Sequence, residues 1–522
     1  MKKKFLLIVF IFYQFLFLAC TKESNYQTNV YESIPGYKNA TCNIMKNKYI
    51  ELHIENEITS SKEEITSLLN SLQNNYDKLN NTFNLNTKIK CYVINNIYIF
   101  ENTKAIYQNG ILLCDKSALF DENLLNALTG SYIQSTEFWK QYGACAYAFN
   151  YQFNNEEIKK YYLNGNDLAL TLFQTYFMDE FSTNKNIAIE TSYSFSNFII
   201  NKYGYEKFIN ANLTSYREEY LNHLKINRKF DISFDLSWLD NATYSQKFLS
   251  YPLVIKTFNR TYYLNSFSSK RDTASFNNSE RVLYHLSTGN TECEKILNYI
   301  KDNAPESYNF VSEKYNSNIE YYISENEIKT CSDVTNGKIY LLDPSEFVHE
   351  TIHAITLKRN PTKEAWIGEG IAEYLSRHVS KHISDINNRF YLSFTDKTLS
   401  GNIKDFVDIV NSIYKEKGGK FSTLDEFDFS LLAKCIGEIT LKNNTYKSSI
   451  NFPYATTPIY MTYASTSQDG NVLTYPEAYA FTSYLIEKYG FINAIKCCIN
   501  YNLKEIYGAD YSNLMNEFLK VI

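Results

Sequence analysis

The stretch Phe347-Val-His-Glu-Thr-Ile-His-Ala354, followed by Trp366-Ile-Gly-Glu-Gly-Ile-Ala-Glu-Tyr374, decides how the C-terminal half of this chain is read. Its spacing predicts two helices. In the first, His349 and His353 stand four residues apart, so they project from one face, one turn apart. Two imidazoles so placed can hold one zinc ion. Glu350, next to the first of them, can reach a metal-bound water as general base. Such a site needs a third protein ligand and one open position. The second helix offers Glu369 and, one turn further on, Glu373. Asp343-Pro-Ser345 supplies a helix start. Val348, Ile352 and Ile355 recur at helical spacing, so the helix has an apolar side to bury. The whole chain has only seven histidines in 522 residues, which makes two of them at this spacing a concentrated signal.

The length predicts two to four domains with ample chain for buried cores. A net charge of -5 argues against nucleic acid as a partner. Proline (8) and glycine (17) are scarce beside tyrosine (46) and phenylalanine (35), which marks a folded, helix-compatible chain and excludes a fibre or linker. Residues 1–20 read as a targeting segment: Lys2, Lys3 and Lys4 precede an apolar run from Phe5 to Leu18. Leu18-Ala-Cys20 resembles a bacterial lipoprotein signal, with Phe17 where leucine is usual. The resemblance implies that Cys20 is lipidated and that the chain is exported and anchored to a bacterial cell membrane or outer membrane. Residues 21–44 are expected to be a tether. No other apolar run is long enough to span a bilayer. Cys20 aside, nine of the ten cysteines remain; the odd number and the lack of any Cys-x-x-Cys argue against a disulfide framework or a thiolate metal site.

Two parts of the chain look alike. Tyr49–Ile54 and Arg281–Leu286 each read as a short strand. Helical stretches follow, near Glu63–Asn80 in one case and near Cys293–Lys301 and Glu306–Lys314 in the other. Strands come next at Lys88–Ile94 and Ile319–Ile323. Asn-Gly turns then lead into Asn109–Leu113 and Asn336–Leu342. Glu137–Tyr147 lies over Glu364–Tyr374 without a gap, and Tyr193–Gly204 lies over Tyr479–Gly490. Shared order and spacing predict two copies of one domain. The boundaries are 45–225 and 278–522, with a connecting segment at 226–277 whose alternating Phe230–Trp238 stretch is expected to form strands. In this register Glu122 lies opposite His349, Asn123 opposite Glu350, Asn126 opposite His353, Tyr142 opposite Glu369 and Ala146 opposite Glu373. The first copy is therefore expected to be metal-free.

His-Glu-x-x-His followed by Trp-x-x-Glu-Gly-x-Ala-Glu-Tyr resembles the gluzincin zinc metallopeptidases, and most nearly the catalytic subdomain of bacterial collagenases. The resemblance covers about 280–510. It implies an α+β fold of tandem gluzincin-like domains, each a small mixed sheet followed by a helical subdomain. It also implies one Zn2+ held by His349, His353 and Glu369, with Glu373 orienting a ligand histidine. The reverse assignment, Glu373 on the metal, is the alternative. Tyr475 falls where the family places an oxyanion donor, and Ile189 is its counterpart in the first copy; Tyr479 is the alternative. His378 and His382 read as an exposed helical face. The Gly-x-Met-Glu-Asn peptide of one-zinc aminopeptidases is absent, so endopeptidase action on extracytoplasmic polypeptides is expected, with Ile339–Leu342 as the edge strand that pairs with substrate. Collagen as substrate does not follow, because no collagen-binding module is evident. The rival expectations are a non-catalytic surface binding lipoprotein on a peptidase fold and a zinc aminopeptidase.

Overall fold

The structure is a computed structural model that describes residues 25–95, 104–119, 121–176, 185–227, 234–247, 251–265, 278–324, 330–359, 366–380, 401–420, 428, 431–432, 434–435 and 468–521. It is mixed α and β, with two six-stranded mixed sheets, each followed by helices. The chain divides into two units, the changeover falling between residues 233 and 256. Among the described residues, no helix is long and apolar enough to cross a membrane.

The first sheet contains β1 (Tyr26–Ser33), β2 (Asn39–Lys46), β3 (Ile50–Glu55), β4 (Ile89–Ile94), β5 (Ala105–Gln108) and β6 (Ile111–Asp115). Its order is β1-β2-β3-β4-β6-β5. β3, β4 and β6 run parallel, while β5 pairs antiparallel with β6. Asn109 and Gly110 both take positive φ (51° and 76°), the turn a two-residue hairpin requires. α1 (Lys62–Phe83) crosses between β3 and β4. Ser61 caps it by accepting from the Glu64 N–H, Glu63 and Glu64 face its positive end, and Ile65, Leu69, Leu72, Tyr76 and Leu79 form its buried stripe. Then come α2 (Glu122–Ile133), α3 (Phe138–Phe149), α4 (Asn155–Leu163), α5 (Leu168–Phe173), α6 (Lys185–Tyr203), α7 (Tyr205–Ile209) and α8 (Arg217–His223).

The second sheet contains β7 (Thr243–Lys247), β8 (Tyr251–Lys256), β9 (Arg260–Leu264), β10 (Ile319–Ile323), β11 (Cys331–Asp333) and β12 (Lys338–Leu341). Its order, β7-β8-β9-β10-β12-β11, repeats that of the first. β9, β10 and β12 are parallel and β11 is antiparallel to β12, again as in the first sheet. α9 (Asn278–Asn303) and α10 (Pro305–Asn316) cross between β9 and β10. α11 (Phe347–Thr356), α12 (Trp366–Leu375), α13 (Gly401–Glu416), α14 (Gln468–Tyr489), α15 (Phe491–Asn500), α16 (Leu503–Tyr507) and α17 (Tyr511–Val521) follow.

Several sequence expectations are corrected here. Arg281–Leu286 is not a strand but part of α9, because Val282, Leu283 and Leu286 recur at helical spacing and all are buried. The strand that plays its part is β9, inside the segment read as a connector; β7 and β8 lie there too. The tether expected over 21–44 instead supplies β1 and most of β2. Ile339–Leu342 is not an edge: β12 lies between β10 and β11, and the three-residue β11 is the outermost strand on that side of the sheet. Of Phe230–Trp238, residues 230–233 lie outside the described residues, and Ser237–Leu239 is a short 3-10 turn. Cys20 and His382 also lie outside them. All nine described cysteines are free, and all but Cys331 are buried.

The helical layers share one close approach. A Cβ on Gly143 of α3 would sit 1.8 Å from Ser196 Oγ and 2.8 Å from the Ser192 carbonyl of α6. A Cβ on Gly370 of α12 would sit 1.9 Å from Thr482 Oγ1 and 2.7 Å from the Ala478 carbonyl of α14. The fully buried Trp139 and Trp366 lie one turn earlier, 5.7 Å from Phe195 and 4.7 Å from Phe481. Because backbone carbonyls are among the obstructing atoms, side-chain rotation cannot relieve the clash. Gly143→Ala and Gly370→Ala should each destabilise their own unit by about 1–3 kcal/mol. Scanning calorimetry should then show a transition lowered by several degrees; an unchanged melting profile in both would refute the helix contact.

Candidate metal centre

The first metal-site helix is held at its start and along its side. Asp343 accepts from the Ser345 N–H (2.9 Å), opening a 3-10 turn that runs into α11. Arg281 of α9 donates to Asp343 Oδ1 (2.7 Å) and Oδ2 (2.6 Å). Burial raises the Asp343 carboxyl, but Arg281 outweighs it and leaves it below the usual range. The Phe347 ring stacks on Tyr321 of β10 with centroids 4.5 Å apart, and Tyr321 Oη lies 3.0 Å from Thr351 Oγ1. These contacts lock the apolar side of α11 against the sheet. The other side then presents His349, Glu350 and His353.

On that side three ligand atoms converge. His349 Nε2 and His353 Nε2 are 3.0 Å apart, and each is 3.1 Å from Glu369 Oε2. All three residues are buried. Among the described residues this is the only group of three His, Cys, Asp or Glu side chains that brings its ligand atoms within 4.8 Å of one another. Glu373, one turn after Glu369 on α12, puts Oε1 3.3 Å from His349 Nδ1, on the far side of that ring. The helix winds into a wider turn at Ser376–Ser380, where Arg377 donates from Nε to Glu373 Oε2 (2.6 Å). Glu350 is bonded from the sheet edge: the Ser332 hydroxyl of β11 lies 2.7 Å from its Oε2 and 2.8 Å from its backbone O.

The donor set fits a divalent cation. Each neutral imidazole has one N–H and one lone pair. An acid at His349 Nδ1 favours the N–H there and frees Nε2 as an acceptor. Nε2 then faces a second imidazole nitrogen and a carboxylate oxygen at the same point, which is a ligand arrangement and a poor hydrogen-bond arrangement. Nitrogen–nitrogen–oxygen donors of this kind suit zinc. Burial works against charge on His349, yet Glu369 and Glu373 outweigh it and hold the imidazole well above its ordinary value. For Glu369, burial pushes the carboxyl up, but His353 and His349 draw it far below the usual range. Glu373 is likewise lowered, against burial, first by Arg377 and then by His349.

The structure thus brings together His349, Glu350, His353, Glu369 and Glu373, with Glu369 and not Glu373 at the shared point. It does not bring in Tyr479, whose hydroxyl bonds instead to His378 Nε2 (2.9 Å). Tyr475 is in α14, but its side chain lies outside the described residues. Ser332 and Arg377 were missed in the sequence. Arg377 had a signal, its four-residue spacing from Glu373. Ser332 had none, because sheet pairing alone carries it to the cluster. Comparison of the chain with protein-family models, with curated proteins and with solved structures finds no match.

A pH test follows from the pKa directions. Chelator-treated protein keeps His349 charged between two carboxylates. That contribution is complete below the unfolded histidine value of about 6.5 and is lost as pH rises through the raised folded value. The lowered carboxyl of Glu369 works the other way: its contribution is present above the unfolded value of about 4.3 and is lost on acidification. The melting-temperature gap between chelator-treated wild type and His349→Asn should be widest near pH 6 or just below and narrow as pH rises. A gap that widens with pH would contradict this electrostatic picture.

Proposed function

We propose that the chain is a zinc-dependent endopeptidase, exported and lipid-anchored through Cys20. It is built as tandem gluzincin-like domains, of which the first carries no metal ligands and the second is catalytic. The observation that carries this reading is the convergence of His349 Nε2, His353 Nε2 and Glu369 Oε2, with Glu350 beside them. The tandem reading is supported by the repeated strand order and by the matching Gly143–Ser196 and Gly370–Thr482 approaches. The anchor rests on the sequence from Lys2 to Cys20 alone.

His349, His353 and Glu369 would hold the ion. When bound, zinc supplies Lewis-acid polarisation of a carbonyl and makes a water more acidic. The other steps belong to the protein. Glu350 takes a proton at its carboxylate from the attacking water and returns it to the leaving nitrogen. Ser332 fixes the Glu350 carboxylate, so its orientation is set before substrate arrives. Glu373 holds the Nδ1 proton of His349 and is itself held by Arg377, which keeps the ring in one tautomer and one orientation. The outermost strand β11, whose Ser332 touches Glu350, is the edge on which an extended polypeptide can pair. Tyr475 is the proposed donor to the oxyanion of the tetrahedral intermediate.

Glu350→Gln should retain one equivalent of zinc by elemental analysis and lose casein or gelatin hydrolysis by about 10²–10⁴-fold. His353→Ala should lose both metal and activity. Wild-type protein that binds zinc yet cleaves neither substrate, with or without chelator, would turn the reading toward a binding protein. For the anchor, palmitate labelling in a bacterial host should be present in wild type and absent in Cys20→Ser; label retained in the variant rules Cys20 out.

A further inference from the structure

The first sheet begins close to the cysteine proposed to carry lipid. Only Thr21-Lys22-Glu23-Ser24 separates Cys20 from Asn25, whose carbonyl accepts from the Lys46 N–H (2.9 Å). β1 starts at the next residue, Tyr26, which pairs with Met45 of β2. Five residues of fully extended chain span about 18 Å at most. A lipid on Cys20 therefore holds the Asn25 end of the sheet within that distance of the bilayer surface.

Hydrogen bonds lead from Asn25 across the surface at this end. The turn between β2 and β3 comes first. Asn47 Oδ1 accepts from the N–H groups of Tyr49 (3.0 Å) and Ile50 (2.8 Å), which fixes the turn with Lys48 exposed at its tip. The Tyr49 carbonyl accepts from the Ile89 N–H (2.8 Å), so the exposed Lys88 stands beside that turn. The loop before Lys88 carries Leu85, 38% exposed, and Asn86, which accepts from the Tyr49 hydroxyl (3.5 Å). Lys46 and Lys90 lie 4.0 and 3.8 Å from Glu51. Lys48 lies over the Tyr49 ring, 4.7 Å from its centroid, and neither it nor Lys88 forms an ion pair among the described residues. Asp77, the acid nearest the turn, is bonded from Gln73 (2.6 Å). This end thus presents two unneutralised ammonium groups beside a tyrosine and an exposed leucine, a mixture suited to a lipid headgroup layer.

We propose that this end of the first sheet docks on the anionic bilayer surface that holds the Cys20 lipid. Lys48 and Lys88 lie against lipid phosphates, and Tyr49 and Leu85 sit at headgroup level. The proposal rests on the lipid-anchor reading and is independent of whether the second unit hydrolyses peptides. The spacer selects the occupant: a short link keeps the bilayer at a high effective concentration, so modest attraction from each lysine is enough. β3, β4 and β6 all begin at this end, so their C-terminal ends point away from the bilayer.

Hydrogen–deuterium exchange on the purified lipidated protein, floated with vesicles, tests it. Vesicles of phosphatidylcholine alone hold the protein through its lipid, so flotation with them reports the anchor and not the docking. Adding phosphatidylglycerol should slow amide exchange in residues 46–49 and 84–88 by about 5-fold or more. The slowing should vanish at about 1 M salt, where charges are screened beyond about 3 Å. Lys48→Glu combined with Lys88→Glu should leave flotation intact and abolish the slowing, with exchange in β3 and β4 as in wild type. If those strands exchange faster in the variant, the salt series on wild type decides alone. Equal exchange on both vesicles, slowing that survives high salt or the folded double variant, or slowing centred on another part of the sheet overturns the docking and leaves the anchor standing. Wild type that does not float with neutral vesicles removes the anchor, and the proposal with it.

Discussion

Charge balance in a buried place is the constraint on which the second unit depends. Glu350, Glu369 and Glu373 are all less than 9% exposed, and the guanidinium of Arg377 is the cation bonded directly to one of them. With both imidazoles neutral, the cluster carries two negative charges in excess. Uncompensated buried charge costs several kcal/mol per ion. Without metal, a proton on His349 would reduce the excess: Glu369 and Glu373 raise that imidazole against burial, and His353 and His349 lower Glu369. A divalent cation at the shared point of Nε2, Nε2 and Oε2 would offset those two charges with both imidazoles neutral. Metal held there would therefore be coupled to pH and to the stability of the unit.

The second constraint is steric. Glu369 reaches the histidines because α12 is pressed onto α14 at Gly370, where even a methyl group would meet backbone. Glu369 and Glu373 then lie one turn apart on the side toward α11, and they share the two imidazoles between them: Glu369 meets both Nε2 atoms, Glu373 meets Nδ1 of His349. This settles geometrically which acid stands at the shared point, a question the four-residue spacing left open. Arg377 extends the same ridge by another turn.

What was legible in the sequence had a local cause. The His349–His353 face, the Asp343 start and the Asn-Gly turns are decided within a few residues, and the helices and strands around them follow. What was illegible depends on pairing across long separations. β11 is only Cys-Ser-Asp, with no apolar alternation to mark it, so its place at the sheet edge comes wholly from β12. β9 was hidden because Arg260–Leu264 lies in a segment rich in polar and aromatic residues, while Arg281–Leu286 offered a plausible alternation that a 26-residue helix overrode. A strand of five residues has little local signal of its own.

Polar-face residues and core residues occupy different positions on the same helices. On α11 the core positions Val348, Ile352 and Ile355 interleave with His349, Glu350 and His353. On α2 the buried Leu128 stands at the register of Ile355, and Thr129 bonds the carbonyl four residues earlier as Thr356 does, at 2.8 and 2.7 Å. The fold seats a polar face on both helices, and the residue types decide what that face can hold.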